Sequence, residues 1–224
     1  SRGPPIVIVD AAPLFQAGSS WHIYGPRGLA GSLSETLAGQ MQYAYFPVAI
    51  EQLTATVQYH DLVECTFDID DITAATRYPH HPALTLGYRL EVDGATVVYS
   101  TDHEPHDRRL ATGGDPAASR HDLDHAGLFT GADLLIHDAQ YLAEEYPAKV
   151  GWGHSTVEYV VSVADLAGVK QVALFHHDPS RTDEAVDDLV ARSRAFASEV
   201  GFAGEVIAAA EGETIELRGA SSGI

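Results

Sequence analysis

Cysteine is all but absent from this chain. A lone Cys65 among 224 residues excludes an intrachain disulfide and a thiolate-based zinc site, and leaves the thiol the part of a small buried group. Basic residues are scarce too: 13 Lys and Arg stand against 32 Asp and Glu, a formal net charge of −19. That field repels polyanions unless a local basic patch intervenes. No Lys/Arg-rich arm able to grip a structured RNA is visible, and Arg108–Arg109 is the basic pair nearest to any candidate site. No apolar run approaches the roughly 20 residues needed to cross a bilayer, and no signal peptide opens the chain. The expectation is a cytoplasmic protein without a membrane span. Internal repeats are missing, and only Gly219–Ile224 has the composition of a frayed tail. Histidine, by contrast, is plentiful, with 12 copies.

Three histidine- or carboxylate-bearing segments each end a strand-like run: Tyr78-Pro79-His80-His81-Pro82, Tyr99-Ser100-Thr101-Asp102 and Ala173-Leu174-Phe175-His176-His177-Asp178. Imidazole and carboxylate suit Zn²⁺ and Mn²⁺, and a hydrolytic site leaves coordination positions open for water and substrate. Gly87–Val92 and Ala95–Ser100 flank Asp93-Gly94, a pair favoured in two-residue turns because both positions need φ > 0. This turn makes Val92 face Ala95 and puts His81 and Asp102 at the same end of one hairpin, at most about 13 Å apart along the strand direction.

An α/β unit leads to the third segment. Ala132–Ile136 reads as a buried strand ending at His137-Asp138, and Gln171–Phe175 as another ending at His176. Ser155 and Glu158 form a capping-box pattern before Val157, Val160, Val161, Ala164 and Leu166, with Gly168 as the stop. His154 thus precedes a helix N-terminus, whose free N–H groups suit an anion. A second amphipathic helix follows Thr182, with Ala185, Val186, Leu189, Val190, Phe196 and Ala197 on one face and Gly201 at its end. The N-terminal part reads as a strand at Trp21–Tyr24 closed by Gly25-Pro26, then a helix through Leu29, Leu33, Leu37 and Met41. The aromatic stretch Gln40–Pro47 fits either core packing or a homodimer contact. Strand–helix alternation over this length argues for a single α/β domain, residues 1–218, followed by the tail 219–224.

From about Trp21 to Leu217 the chain resembles the metallo-β-lactamase fold, and within it the phosphodiesterase branch that includes ribonuclease Z. His81 through Gly87-Tyr88-Arg89 resembles the family's ligand histidine and the strand after it. Val98–Asp102 resembles the strand delivering the metal-bridging carboxylate, and Leu174-Phe175-His176 the strand delivering the last histidine. Ile136-His137-Asp138-Ala139 resembles the branch's His-Glu-Ala-Thr segment with Asp138 in the acidic place, and His154-Ser155-Thr156 its His-Ser-Thr element. The resemblance implies a four-layer αββα sandwich, two divalent metal ions (zinc, with manganese as the alternative), His81, Asp102 and His176 as metal ligands, and His154 as a general acid oriented by Asp138. It also implies a phosphodiesterase. With the charge balance above, a small phosphodiester such as a cyclic nucleotide is favoured over RNA. Ribonuclease Z-like RNA cleavage, lactone or thioester hydrolysis, and a non-catalytic interaction protein on the same scaffold are the alternatives.

One family motif, His-x-His-x-Asp-His, does not occur in this sequence. Ile6–Asp10 resembles the strand before it, and Ala11–Phe15 a segment that lies after it. The expectation is an intact protein that carries the motif between these segments, so that the N-terminal part of the fold is incomplete here. Without it, His81, Asp102 and His176 form part of a two-metal site. Asp10 is expected to orient a neighbouring ligand. The remaining histidines have plainer readings. His80 and His177 adjoin better candidates, His22 and His60 lie in strands, and His137 is a strand-end hydrogen-bonding residue. His103, His106, His121 and His125 are expected on a solvated loop that gates the substrate.

Overall fold

The structure, a computed structural model, describes residues 16–29, 31–42 and 52–217. Asp10, the Asp10–Phe15 junction, most of the Gln40–Pro47 stretch and the tail 219–224 lie outside the described residues. The chain divides into two compact units, residues 1–63 with 83–85, and residues 64–82 with 86–224.

In the first unit β1 (Ser20–Pro26) pairs in parallel with β2 (Thr56–Leu62). Between them runs α1 (Leu33–Gln40), closed by a capping box in which Ser32 and Glu35 satisfy each other's backbone N–H. Its Leu33 and Leu37 are buried, whereas Leu29, expected on the same face, lies outside the helix and is 98% exposed. The Ser32 cap explains the difference, because it sets the helix start after Leu29.

The second unit is built on a seven-stranded sheet in strictly sequential order: β3 (Thr66–Ile69), β4 (Ile72–Arg77), β5 (Gly87–Val92), β6 (Ala95–Ser100), β7 (Leu134–Asp138), β8 (Gln171–Phe175) and β9 (Glu205–Ala208). Strands β3 to β6 are antiparallel and β6 to β9 parallel. The change falls where short hairpin turns give way to helical crossovers, the only short route between parallel strands. Asp93 and Gly94 both have positive φ and pair Val92 with Ala95, the register that Asp-Gly implies.

Three helices, α2 (Arg120–Gly127), α3 (Val157–Ala167) and α4 (Asp183–Val200), share one apolar core with the sheet. Val98, Leu135, Val172 and Leu174 from the strands meet Val157, Val160, Val161, Val163 and Leu189 from the helices, all at most 1% exposed. Thr182 caps α4 and Gly201 ends it at φ 82°. Gly168 ends α3 in the same left-handed conformation.

The cap of α3 differs from the capping-box expectation. Thr156, not Ser155, accepts from the Tyr159 N–H. Ser155 is drawn away because its hydroxyl donates to the His103 carbonyl at 2.6 Å, and the Glu158 carboxylate accepts from the Ala143 N–H instead of turning back to the cap. Tertiary partners thus outcompete the local motif.

Candidate metal centre

The parallel strands set the stage for the site. Their register aligns Ser100 with His137 and Asp138 with Phe175, so the carboxyl ends of β6, β7 and β8 lie along one edge of the sheet. That edge is where α/β sheets expose side chains to ligands. Asp102 follows β6, Asp138 ends β7, His176 follows β8, His81 follows β4, and His154 precedes α3.

These residues converge. One ligand atom each from His81, Asp102 and His154 lies within 4.8 Å of the others. His176 Nε2 is 3.4 Å from Asp102 Oδ1, and the His176 ring centroid is 4.9 Å from that of His154. The structure therefore brings together all the strand-end residues expected from the sequence and adds His154 to them more closely than a helix-start position alone implies. Asp102 (φ 58°) and His176 (φ 54°) adopt the left-handed backbone region. The other two non-glycine residues of this kind among the described residues, Asp70 and Asp93, sit in hairpin turns. At Asp102 and His176 no such turn requires it, and strain at a strand end that aims a side chain is a mark of a functional position.

Asp138 is fully buried and organises the far side of the cluster. Its Oδ2 accepts from His154 Nδ1 at 2.9 Å and from the Ser155 N–H at 3.3 Å, and its Oδ1 lies 3.2 Å from His137 Nδ1. Burial pushes this carboxyl up, but hydrogen bonds and charge from His137 and His154 outweigh burial and bring it down to about 2. Burial likewise works against protonating His154. The Asp138 hydrogen bond and charge, with Asp102 and Glu104 behind them, turn the balance upward. His154 is thereby biased toward the protonated form with Nδ1 committed to Asp138, leaving Nε2 as its free nitrogen.

Glu104 is a determinant whose place in a long polar loop gives no sign of its burial. Only 4% exposed, its carboxylate accepts from the Tyr146 hydroxyl (2.6 Å), the Gly151 N–H (2.8 Å) and the Gly153 N–H (2.9 Å). Desolvation raises its pKa, yet these donors lower it overall. It thus pins the loop that carries His154. Gly153 has φ 89°, and a Cβ there would sit 2.9 Å from His81 Nε2 and 2.6 Å from Pro82 Cδ. Only glycine lets this loop and His81 approach so closely.

Of the histidines after Asp102, His106 and His121 are exposed as expected, but His103 and His125 depart from expectation. His103 is fully buried, not solvated, and His125 stacks on it with ring centroids 3.4 Å apart. The His137 Nδ1 proton points at the Asp138 carbonyl (2.8 Å), so Nε2 accepts from His125 Nε2 (3.2 Å). His103 Nδ1 accepts from the His80 N–H (3.1 Å). Its Nε2 therefore donates to the Tyr159 hydroxyl (3.0 Å), which in turn donates to Asp122 (2.8 Å). Burial, then the neighbouring imidazoles, hold His103 and His125 well below the usual histidine range. They form a neutral packed network beneath the site rather than a gating loop. Nothing in the sequence hints at this, because His103 is covered by rings distant in the chain, His125 of α2 and Tyr159 of α3.

The basic pair also changes. Arg109 pairs with Asp107 through NH2 at 2.5 Å, whereas Lys149, far off in sequence, stands over the Tyr141 ring at 5.5 Å, and Tyr141 is 6.2 Å from His154.

Residues 9–177 match the family described as the beta-lactamase superfamily domain. Among curated proteins, a ribonuclease Z of Halobacterium salinarum is 27% identical over 87% of this chain and 70% of its own length. Among solved structures, the metallo-beta-lactamase fold protein YhfI of Bacillus subtilis is 19% identical, with a TM-score of 0.56 over 87% of this chain and 65% of that one. The short form of human tRNase Z is 21% identical, with a TM-score of 0.50 over 70% of this chain and 60% of that one. The chain thus spans less than two thirds of either solved structure. The chain belongs to the beta-lactamase superfamily and has the metallo-β-lactamase fold. Divalent metal ions are the cofactors that this fold implies, and the nitrogen and oxygen donors gathered at His81, Asp102, His154 and His176 fit them.

Proposed function

We propose that this protein is a metal-dependent phosphodiesterase acting on small phosphodiesters, a cyclic nucleotide among them. The observation that carries this reading is the convergence of His81, Asp102 and His176 around a histidine, His154, whose other ring nitrogen is held by a buried carboxylate. His81, Asp102 and His176 would hold the metal, with Asp102 shared between two ions, zinc by default or manganese. When bound, such ions acidify a water and neutralise charge on the phosphoryl oxygens. His154 serves as general acid. Its Nε2 gives a proton to the leaving oxygen as the phosphorus–oxygen bond breaks, and Asp138 stabilises and orients the imidazolium. We further propose that residues 1–218 act as one metallo-β-lactamase-like domain, a reading supported by a family match that runs across both compact units.

The name ribonuclease Z borne by the curated relatives favours a second reading, an RNA phosphodiester as substrate. The formal charge of −19 argues against a large polyanion.

The test compares metal-loaded with chelated protein on bis(p-nitrophenyl) phosphate, a cyclic nucleotide, a short RNA and a lactone. Activity on the phosphodiesters that is lost on chelation is expected. Asp102→Ala should lose most bound metal and nearly all turnover. Unchanged metal stoichiometry in that variant sinks the ligand assignment, and a lactone cleaved far better than any phosphodiester overturns the substrate class.

A further inference from the structure

We propose that Trp152, Lys149 and Tyr141 form a nucleotide subsite beside the metal centre, with the Trp152 indole stacking on a nucleobase and the Lys149 ammonium holding the attached phosphate. This rests on the phosphodiesterase reading for its setting and goes further by naming what flanks the scissile phosphate.

Trp152 stands two residues before His154, yet 57% of it is exposed. A large indole left in water costs hydrophobic free energy unless something covers it in function. Its backbone is fixed: the Trp152 N–H donates to the Lys149 carbonyl at 3.1 Å, and the flanking Gly151 and Gly153 N–H groups both end on the buried Glu104 carboxylate. An exposed ring on a pinned loop loses little conformational entropy when it binds.

Lys149 makes the surface specific. Its Nζ lies 4.2 Å from the Trp152 ring and 5.5 Å from the Tyr141 ring. Among the described residues no carboxylate comes within ion-pair distance of it. Burial first, then the carboxylates around it, push the Tyr141 phenol up to about 12. It is therefore neutral, and Lys149 meets a π-face there rather than a phenolate. In a chain of net charge −19 this places near the candidate centre an ammonium that no carboxylate contacts directly among the described residues, although Asp178 is close enough to feel its charge. The indole, the ammonium and the Tyr141 ring, which is 6.2 Å from that of His154, are near neighbours, a grouping that can meet the base and the phosphate of one nucleotidyl ester. Stacking on indole is tolerant of base identity, so the subsite selects for a nucleotide without selecting which one.

The test uses the full chain with Trp21→Phe, which leaves Trp152 as its one tryptophan of the two. Titration with adenosine monophosphate should quench the fluorescence saturably, and ribose phosphate should do so far less. Lys149→Met should weaken the adenosine monophosphate titration and flatten its salt dependence. In steady-state kinetics, the ratio of kcat/KM for thymidine p-nitrophenyl phosphate over methyl p-nitrophenyl phosphate should fall about 5- to 150-fold in Trp152→Ala, the range base stacking supplies. Trp152→Phe should restore most of it. The two esters share a leaving group, so loss of fold or of metal lowers both and leaves the ratio alone. An unchanged ratio, or equal quenching by both phosphates, overturns the subsite. If neither ester is turned over by metal-loaded protein while the quenching is seen, the phosphodiesterase reading has failed and the subsite stands.

Discussion

His154 and Asp138 act as one unit at the scale of single residues, and their shifts have opposite consequences with pH. Asp138 has a depressed pKa, about 2 against an ordinary 3.8. It therefore contributes stability present above the ordinary value and lost as pH falls toward 2, on the order of 2 kcal/mol. His154 is shifted upward, so its contribution is complete below the ordinary histidine value near 6.5 and is lost as pH rises through the folded value. Asp138→Asn removes the first and most of the second, because Asp138 supplies the larger part of the lift on His154. Denaturant unfolding of the metal-free protein should show a flatter stability profile in that variant, both between about pH 2 and 4 and above about pH 6.5. A variant profile parallel to that of the natural sequence would show that the pair does not couple to folding. His154→Ala should keep its metal and lose about 10²- to 10⁴-fold in turnover. The loss should shrink with p-nitrophenyl leaving groups, which need little protonation. An equal loss for good and poor leaving groups would mark His154 as a binding residue.

Strand ends and one loop decide the site at the scale of elements. Parallel pairing of β6, β7 and β8 brings Asp102, Asp138 and His176 to a common edge, and the 146–153 loop brings His154 to meet them. The loop depends on Glu104, whose three donors all lie in it. Glu104→Gln should cost about 1–3 kcal/mol, since a buried carboxylate with three partners is replaced by an amide that must orient an N–H₂ among donors. Faster amide exchange confined to Gly151 and Gly153 would locate the damage, whereas exchange that rises throughout the second unit would place Glu104 in global folding instead. Gly153→Ala acts on the opposite wall. With φ 89° and a Cβ directed at His81 and Pro82, it should weaken metal affinity about 10- to 100-fold, as loss of a ligand's support does. Metal titration of that variant measures it, and an unchanged affinity would mean His81 is not a ligand.

At the scale of the whole molecule, the charge of −19 sets the field in which the site works. On the proposed reading this field disfavours a long polyanion more than a small phosphodiester. No helix among the described residues is long and apolar enough to cross a membrane. On the proposed assignment His81, Asp102 and His176 would suffice for one ion with an open position, and two ions would require further donors.

The sequence by itself determined the Asp93-Gly94 register, the strands that Asp102 and His176 follow and Asp138 ends, and the cap and stop of α4. Each of these is written in local chemistry: turn residues that need φ > 0, apolar runs, a threonine before a helix and a glycine after it. Tertiary structure alone decided that Thr156 caps α3, because Ser155 finds a better partner in the His103 carbonyl. It alone buried Glu104 and the His103–His125 stack, since a polar residue enters the interior only where distant donors and acceptors satisfy it. It also placed Lys149 and Trp152 beside His154. No periodicity encodes that neighbourhood, because it arises from a carboxylate more than 40 residues away that holds two glycine N–H groups.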